Sequence, residues 1–208
     1  LRRASLGIIR LITENNIRID LDPVILKSAS SYDLNFEIDD LLKFFWDRLK
    51  VYAKDRNIRH DIIGAEFNWD FVKMLSKAEA LQNFVVTDDG ENLLAGYKRA
   101  VNILKAEENK DGVNFDGDIV LDQLTMEEEK TLFATLNDVT VKTSDALKRE
   151  EFEIALTALA RLRTPIDAFF DKVTVNSDNK SERESRLQLL SHIRTTMNSV
   201  VEFSKIEG

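Results

Sequence analysis

Ile38-Asp39-Asp40-Leu41-Leu42-Lys43-Phe44-Phe45-Trp46-Asp47-Arg48-Leu49-Lys50-Val51-Tyr52 carries the pattern that settles the class of fold. Ile38, Leu41, Leu42, Phe45, Leu49 and Tyr52 recur at i, i+3, i+4, i+7, i+11 and i+14. That spacing stacks them on one face of a long helix and would scatter them over both faces of a strand. The same period of roughly 3.6 residues returns on both sides of this stretch. Only two prolines and seven glycines interrupt 208 residues, so the sequence predicts an all-α protein, a bundle of helices.

Upstream, residues 4 to 15 read as a helix, and Asp22-Pro23 places an N-cap before a proline at the first helical position, opening a short helix through Ile25 and Leu26. Downstream, Thr87-Asp88-Asp89-Gly90 supplies capping side chains ahead of a stripe of Leu93, Tyr97, Val101 and Leu104. Asn109 to Gly117 breaks the pattern. Thr125 with Glu128 reads as a capping box that opens a helix through Leu132, Leu136 and Val139. Phe152, Ala155, Leu156 and Leu159 mark the next helix. Thr164-Pro165 starts one carrying Ile166, Phe169 and Phe170, and Ser181 with Glu184 is a second capping box before a last helix that ends near Phe203. The first apolar set ends near residues 85–90, which divides the chain into a smaller helical region, 1–87, and a second helical domain, 88–208.

A chain 43% hydrophobic and 32% charged can bury a sizeable core and lies far from disordered compositions. Its apolar runs are a few residues long, against the roughly 20 a membrane helix needs, so no membrane span is expected. The first residues, Leu1-Arg2-Arg3-Ala4-Ser5, lack the apolar segment of a secretory signal and suggest a piece of a longer protein. The absence of cysteine removes thiolate chemistry and zinc ribbons and fits a cytoplasmic protein. A net charge of −8 repels polyanions at long range, so any contact with nucleic acid has to be local. His60 and His192 lack ligand-like spacing, and no metal site is expected.

Arg2-Arg3-Ala4-Ser5-Leu6 matches a basophilic kinase site, but a helix start explains it as well. Asp111 to Asp122 is acidic, yet no register fits a calcium loop. No phosphate cradle and no nucleophile with a supporting base occurs, so no catalytic residue is assigned. The basic residues say more, because about 100° per residue separates those facing solvent from those facing the core. On the last helix, Leu187, Leu190, Ile193, Met197 and Val201 set the apolar stripe and Arg186 falls near its centre. A buried guanidinium needs a partner, and Asp167 or Asp171 is expected to form a structural ion pair with it. Arg163 is read as structural too, a cation at a helix C-terminus. Lys98, Arg99 and Lys105 flank or oppose the Leu93, Tyr97, Val101 and Leu104 stripe, and Arg161 opposes Phe152, Leu156 and Leu159. These four could meet phosphate or form an ordinary charged face. Tyr97 and the Phe169-Phe170 pair could stack on bases or pack the core.

Several separated stretches together resemble the C-terminal part of bacterial-type glycyl-tRNA synthetase β subunits. They are Leu1 to Arg10, Arg59-His60-Asp61-Ile62-Ile63, Tyr97 to Leu104, Leu162 to Val173, Arg183 to Leu190, and Glu202 to Ile206. The most specific is Leu162-Arg163-Thr164-Pro165-Ile166-Asp167-Ala168-Phe169-Phe170-Asp171. The resemblance implies that residues 1–87 connect to the β-subunit body, and that residues 88–208 are a DALR-like anticodon-binding domain similar to those of arginyl- and cysteinyl-tRNA synthetases. Asp145-Ala146-Leu147-Lys148 looks like the signature that names such domains but falls in a different helix. The implied partners are glycine tRNA, read at a cytosine-containing anticodon, and the α subunit, in an α2β2 assembly. Glycine activation, with ATP and magnesium, would belong to the α subunit, leaving this fragment without a cofactor. The competing reading is a helical scaffold for subunit assembly, with the first 85 residues as the contact surface.

Overall fold

The computed structural model describes residues 1–31, 38–65 and 68–207. Among the described residues there are helices and no strand, as the periodicity requires. The chain divides into two compact units, residues 1–82 with Glu207 and residues 83–206. The division falls inside a helix, Phe71–Val85, whereas the apolar pattern of the sequence places a boundary at 87/88.

The first unit contains α1 (Arg2–Glu14), α2 (Leu21–Ser31), α3 (Ile38–Asp55), α4 (His60–Ala65) and most of α5 (Phe71–Val85). On α3, Leu49 and Tyr52 are buried while Leu41, Leu42 and Phe45 are half-buried. The Tyr52 hydroxyl accepts a hydrogen bond from Thr13 Oγ1 at 2.9 Å, tying α1 to α3. The start of α2 differs from expectation. Asp20, not Asp22, serves as its cap, accepting from the Asp22 backbone N–H at 3.1 Å. Pro23 is therefore the third helical residue, where a missing N–H still leaves no intrahelical bond unmade. Gln82 ties the turn after α3 to α5, accepting from Arg59 N–H and donating to the Asn57 carbonyl, both at 2.8 Å.

The second unit is built on α6 (Asp88–Asp111), α7 (Glu127–Lys148), α8 (Phe152–Ala160), α9 (Arg163–Lys172) and α10 (Lys180–Asn198). Helix α6 starts as expected: Thr87 Oγ1 accepts from the Gly90 N–H at 3.0 Å, and Asp88, Asp89 and Glu91 complement the positive end of the helix dipole. It stops at Gly112, whose φ of 69° is left-handed. Helix α10 buries residues on nearly every side, from Ser185 and Arg186 through Leu190 to Met197, and packs against both α6 and α7. The large side chains Tyr97, Phe169 and Phe203 are almost completely buried, each stabilising the unit by roughly 2–3 kcal/mol.

Both expected capping boxes shift in register. The Glu129 side chain, not Glu128, accepts from the Met126 backbone N–H at 2.9 Å, so α7 is capped one residue later. Helix α10 is capped by Asn179, which accepts from the N–H groups of Ser181 and Glu182, two residues ahead of the expected Ser181. The last helix also ends earlier, at Asn198. Val200, Val201, Phe203 and Ile206 beyond it are all buried. One helical face could not bury adjacent valines and both later residues together, and the turn that follows α10 can.

Candidate nucleic-acid interface

Lys98 and Lys105 stand seven residues apart on α6, nearly two full turns, and so share a face; Arg99 is one step of about 100° around the helix. Lys105 is exposed and Lys98 half-buried, and among the described residues no carboxylate pairs with either. Arg99 turns towards α9. Its guanidinium carbon lies 4.3 Å from the centre of the Phe170 ring, the geometry of a cation–π contact. Phe170 stands edge-on to Phe169, 5.5 Å between ring centres, and the two share the work: Phe169 fills the core and Phe170 stays half-exposed. Arg99 and Phe170 border a cleft of 450 Å³ that Ile103, Glu107, Val173 and Asn176 also line.

The carboxylate of that cleft is already engaged. Glu107 accepts from Asn176 Nδ2 at 2.9 Å and from Arg183 Nη2 at 2.5 Å, and Arg183 also pairs with Asp111 at 2.6 Å. The hydrogen bonds from Asn176 and Arg183 hold the Glu107 carboxyl below its ordinary range. Arg161 does not join the α6 group: its Nη1 contacts Asp138 of α7 at 2.5 Å, and Asp138 also takes Lys142 at 2.9 Å. Tyr97 lies in the core, where its hydroxyl donates to Asn198 Oδ1 at 2.9 Å and its ring meets Phe203. Ser5 of the kinase-like stretch is buried, its hydroxyl bonded to the Arg2 carbonyl at 3.0 Å.

Arg186 is buried, but its partner is neither Asp167 nor Asp171. Its Nε meets Glu129 Oε1 at 2.5 Å, its Nη1 donates to the Thr174 carbonyl at 2.9 Å, and its Nη2 reaches Glu182 at 3.2 Å. Asp167 and Asp171 are exposed on the outer side of α9. Asp167 lies 3.9 Å from Arg163, whose closer partner is Asp89 at 2.5 Å. Arg163 thus begins α9 rather than ending α8. Glu129 is not legible as the partner in the sequence because it lies 57 positions from Arg186, on a helix start that reads as solvated. Its one signal is an acidic run, Glu127-Glu128-Glu129, two more carboxylates than a capping box employs.

Residues 93–207 match the family described as DALR anticodon binding domain, more than half of the chain. The chain belongs to that family. Ahead of the DALR domain, residues 1–68 match the family described as glycyl-tRNA synthetase beta subunit. Curated relatives named glycine–tRNA ligase beta subunit align with the whole chain. Those of Rhodospirillum centenum, Ruegeria sp. and Phenylobacterium zucineum are 45%, 44% and 44% identical over 216, 214 and 211 residues. The chain spans about 30% of the length of each. The α6 cations and the Arg99–Phe170 contact all lie inside the DALR domain, and no helix among the described residues is long and apolar enough to cross a membrane.

Proposed function

We propose that this chain reads the anticodon loop of glycine tRNA as part of the β subunit of a glycine–tRNA ligase. What supports this above all is the position of the α6 cations: in a domain whose arginines are mostly tied to carboxylates, Lys98 and Lys105 are left for an outside anion, and Arg99 meets the Phe170 ring rather than a carboxylate. In this reading Lys98 and Lys105 meet backbone phosphates, while Arg99 and Phe170 offer a planar surface for an unstacked base. A phosphate would have to compete with Asp138 for Arg161, which makes it the weakest of the four. Glycine activation with ATP and magnesium falls to the α subunit, with which the β subunit assembles as α2β2 in the cytoplasm.

Binding of the full chain to glycine tRNA and to an anticodon-substituted form, over a salt series, tests this. Lys98→Glu with Lys105→Glu is expected to weaken binding, leave the melting temperature unchanged, and flatten the salt dependence by about 0.7 in the log–log slope for each phosphate no longer neutralised. Unchanged affinity in that double variant would remove the cationic face from the account. The scaffold reading has an observation of its own. Ile8 and Leu11 on α1 and Val24 and Leu26 on α2 are exposed, at 42%, 60%, 40% and 45%. Equal affinity for both tRNAs would favour that reading.

A further inference from the structure

The first unit holds a cleft of 600 Å³, larger than the one beside Arg99, at the turn from α3 into α4. Lys50, Lys54, Arg59 and His60 line it around an apolar floor that includes Val51 and Ile63, and among the described residues no carboxylate lines it. Lys50 and Lys54 stand one helical turn apart on α3 and repel each other, a repulsion that an anion between them relieves. Among the described residues no carboxylate pairs with Lys54. Lys50 meets Asp47 at 2.7 Å, but both side chains are 43% exposed, and so solvated a pair yields readily to a phosphate.

The opposite wall is set in advance. Asn57, at a left-handed φ of 62°, ends α3 and turns the chain back, and Gln82 holds that turn through its hydrogen bonds to Asn57 and Arg59. The buried Asp61 carboxylate takes Arg59 Nε at 3.0 Å and Nη2 at 2.5 Å. That fixes the plane of the guanidinium and leaves Nη1 without a partner among the described residues. The negative end of α3 would oppose an anion, but the N–H groups of Asn57 and Ile58 already engage the Lys54 and Ala53 carbonyls. Cations strung along a helix suit a polymer, whereas cations converging on a cleft of this volume suit a small molecule. A terminal phosphate presents three oxygens, enough for Lys50, Lys54 and Arg59 together, where a carboxylate presents two. The exposed His60 ring can stack on a base, and the Asn57 side-chain amide, unpartnered among the described residues, can meet its edge.

We propose that this cleft binds a nucleoside monophosphate, its phosphate held by Lys50, Lys54 and Arg59 and its base seated between His60 and the apolar floor. The site is independent of the anticodon reading and stands without it. Calorimetric titration of the full chain with adenosine monophosphate, adenosine and inorganic phosphate tests it. The monophosphate should bind saturably, about tenfold or more tighter than adenosine or phosphate alone. Lys50→Ala with Lys54→Ala should weaken it at least about tenfold. Val51→Glu, which sets a carboxylate in the cleft from an exposed helical position, should abolish binding; both variants should keep the parent melting temperature. No saturable binding of the monophosphate overturns the proposal, and weakened glycine tRNA binding in the lysine variant would then assign these cations to RNA. Inorganic phosphate binding as tightly as the monophosphate would overturn the nucleoside assignment. Undiminished binding in both folded variants would overturn the location.

Discussion

Arg186 shows how one side chain can be placed correctly and paired wrongly. Its position near the centre of an apolar stripe requires burial, and a buried guanidinium requires a carboxylate. Helical geometry says nothing about which helix supplies it. Glu129 does, and its two oxygens answer separate needs, one meeting Arg186 and the other the Met126 N–H at the start of α7. Removing the arginine leaves a carboxylate that is 1% exposed without its cation. Arg186→Ala is therefore expected to destabilise the chain by about 3–5 kcal/mol, read as a lower urea midpoint. A loss under about 1 kcal/mol would show that the pair contributes little. Phe169 and Phe170 make a similar point. Adjacent on a helix, they point about 100° apart, so one enters the core and its neighbour is left for Arg99.

Helix starts and stops are unevenly legible, and the reason is competition among nearby caps. At the junction of α5 and α6, Thr87 is the first of the capping side chains Thr87-Asp88-Asp89, and its hydroxyl accepts from the Gly90 N–H, so this start agrees with the sequence. At α7 and α10 several residues could serve. Glu128 and Glu129 compete at one start, Asn179 and Ser181 at the other, and packing of the helix body selects the register. Gly90 adds a constraint that no pattern announces. A Cβ there would run into the Phe84 backbone carbonyl, which belongs to the main chain and cannot swing aside. Gly90→Ala, which raises helix propensity in an open site, is expected here to destabilise by about 1–3 kcal/mol in a thermal or urea melt. A neutral or stabilising outcome would mean that the α5–α6 junction relaxes freely.

All of the net charge resides in one half of the molecule. Residues 1–82 hold equal numbers of acidic and basic side chains, so the −8 belongs to the remainder. There, carboxylates such as Glu107 are held below their ordinary values by hydrogen bonds. In the first unit, burial pushes the Asp61 carboxyl up, but hydrogen bonds from Arg59 and the Glu207 N–H outweigh it, and its pKa is also lowered. Groups depressed in this way stabilise the fold above their unfolded pKa and lose that contribution as pH falls through the folded value. Stability should be nearly flat above about pH 5 and decline towards about pH 3, and Glu107→Gln should make the acid limb shallower in urea titrations. An acid limb unchanged in that variant would refute a role for Glu107. Fold class and the existence of the main helices could be read along the chain, because helical periodicity and capping are local, spanning about four residues. Docking of the helices was needed to pair Arg186 with Glu129 and to engage Arg161 with Asp138. Such pairings depend on the register between helices distant in sequence, which side-chain packing sets and periodicity leaves open.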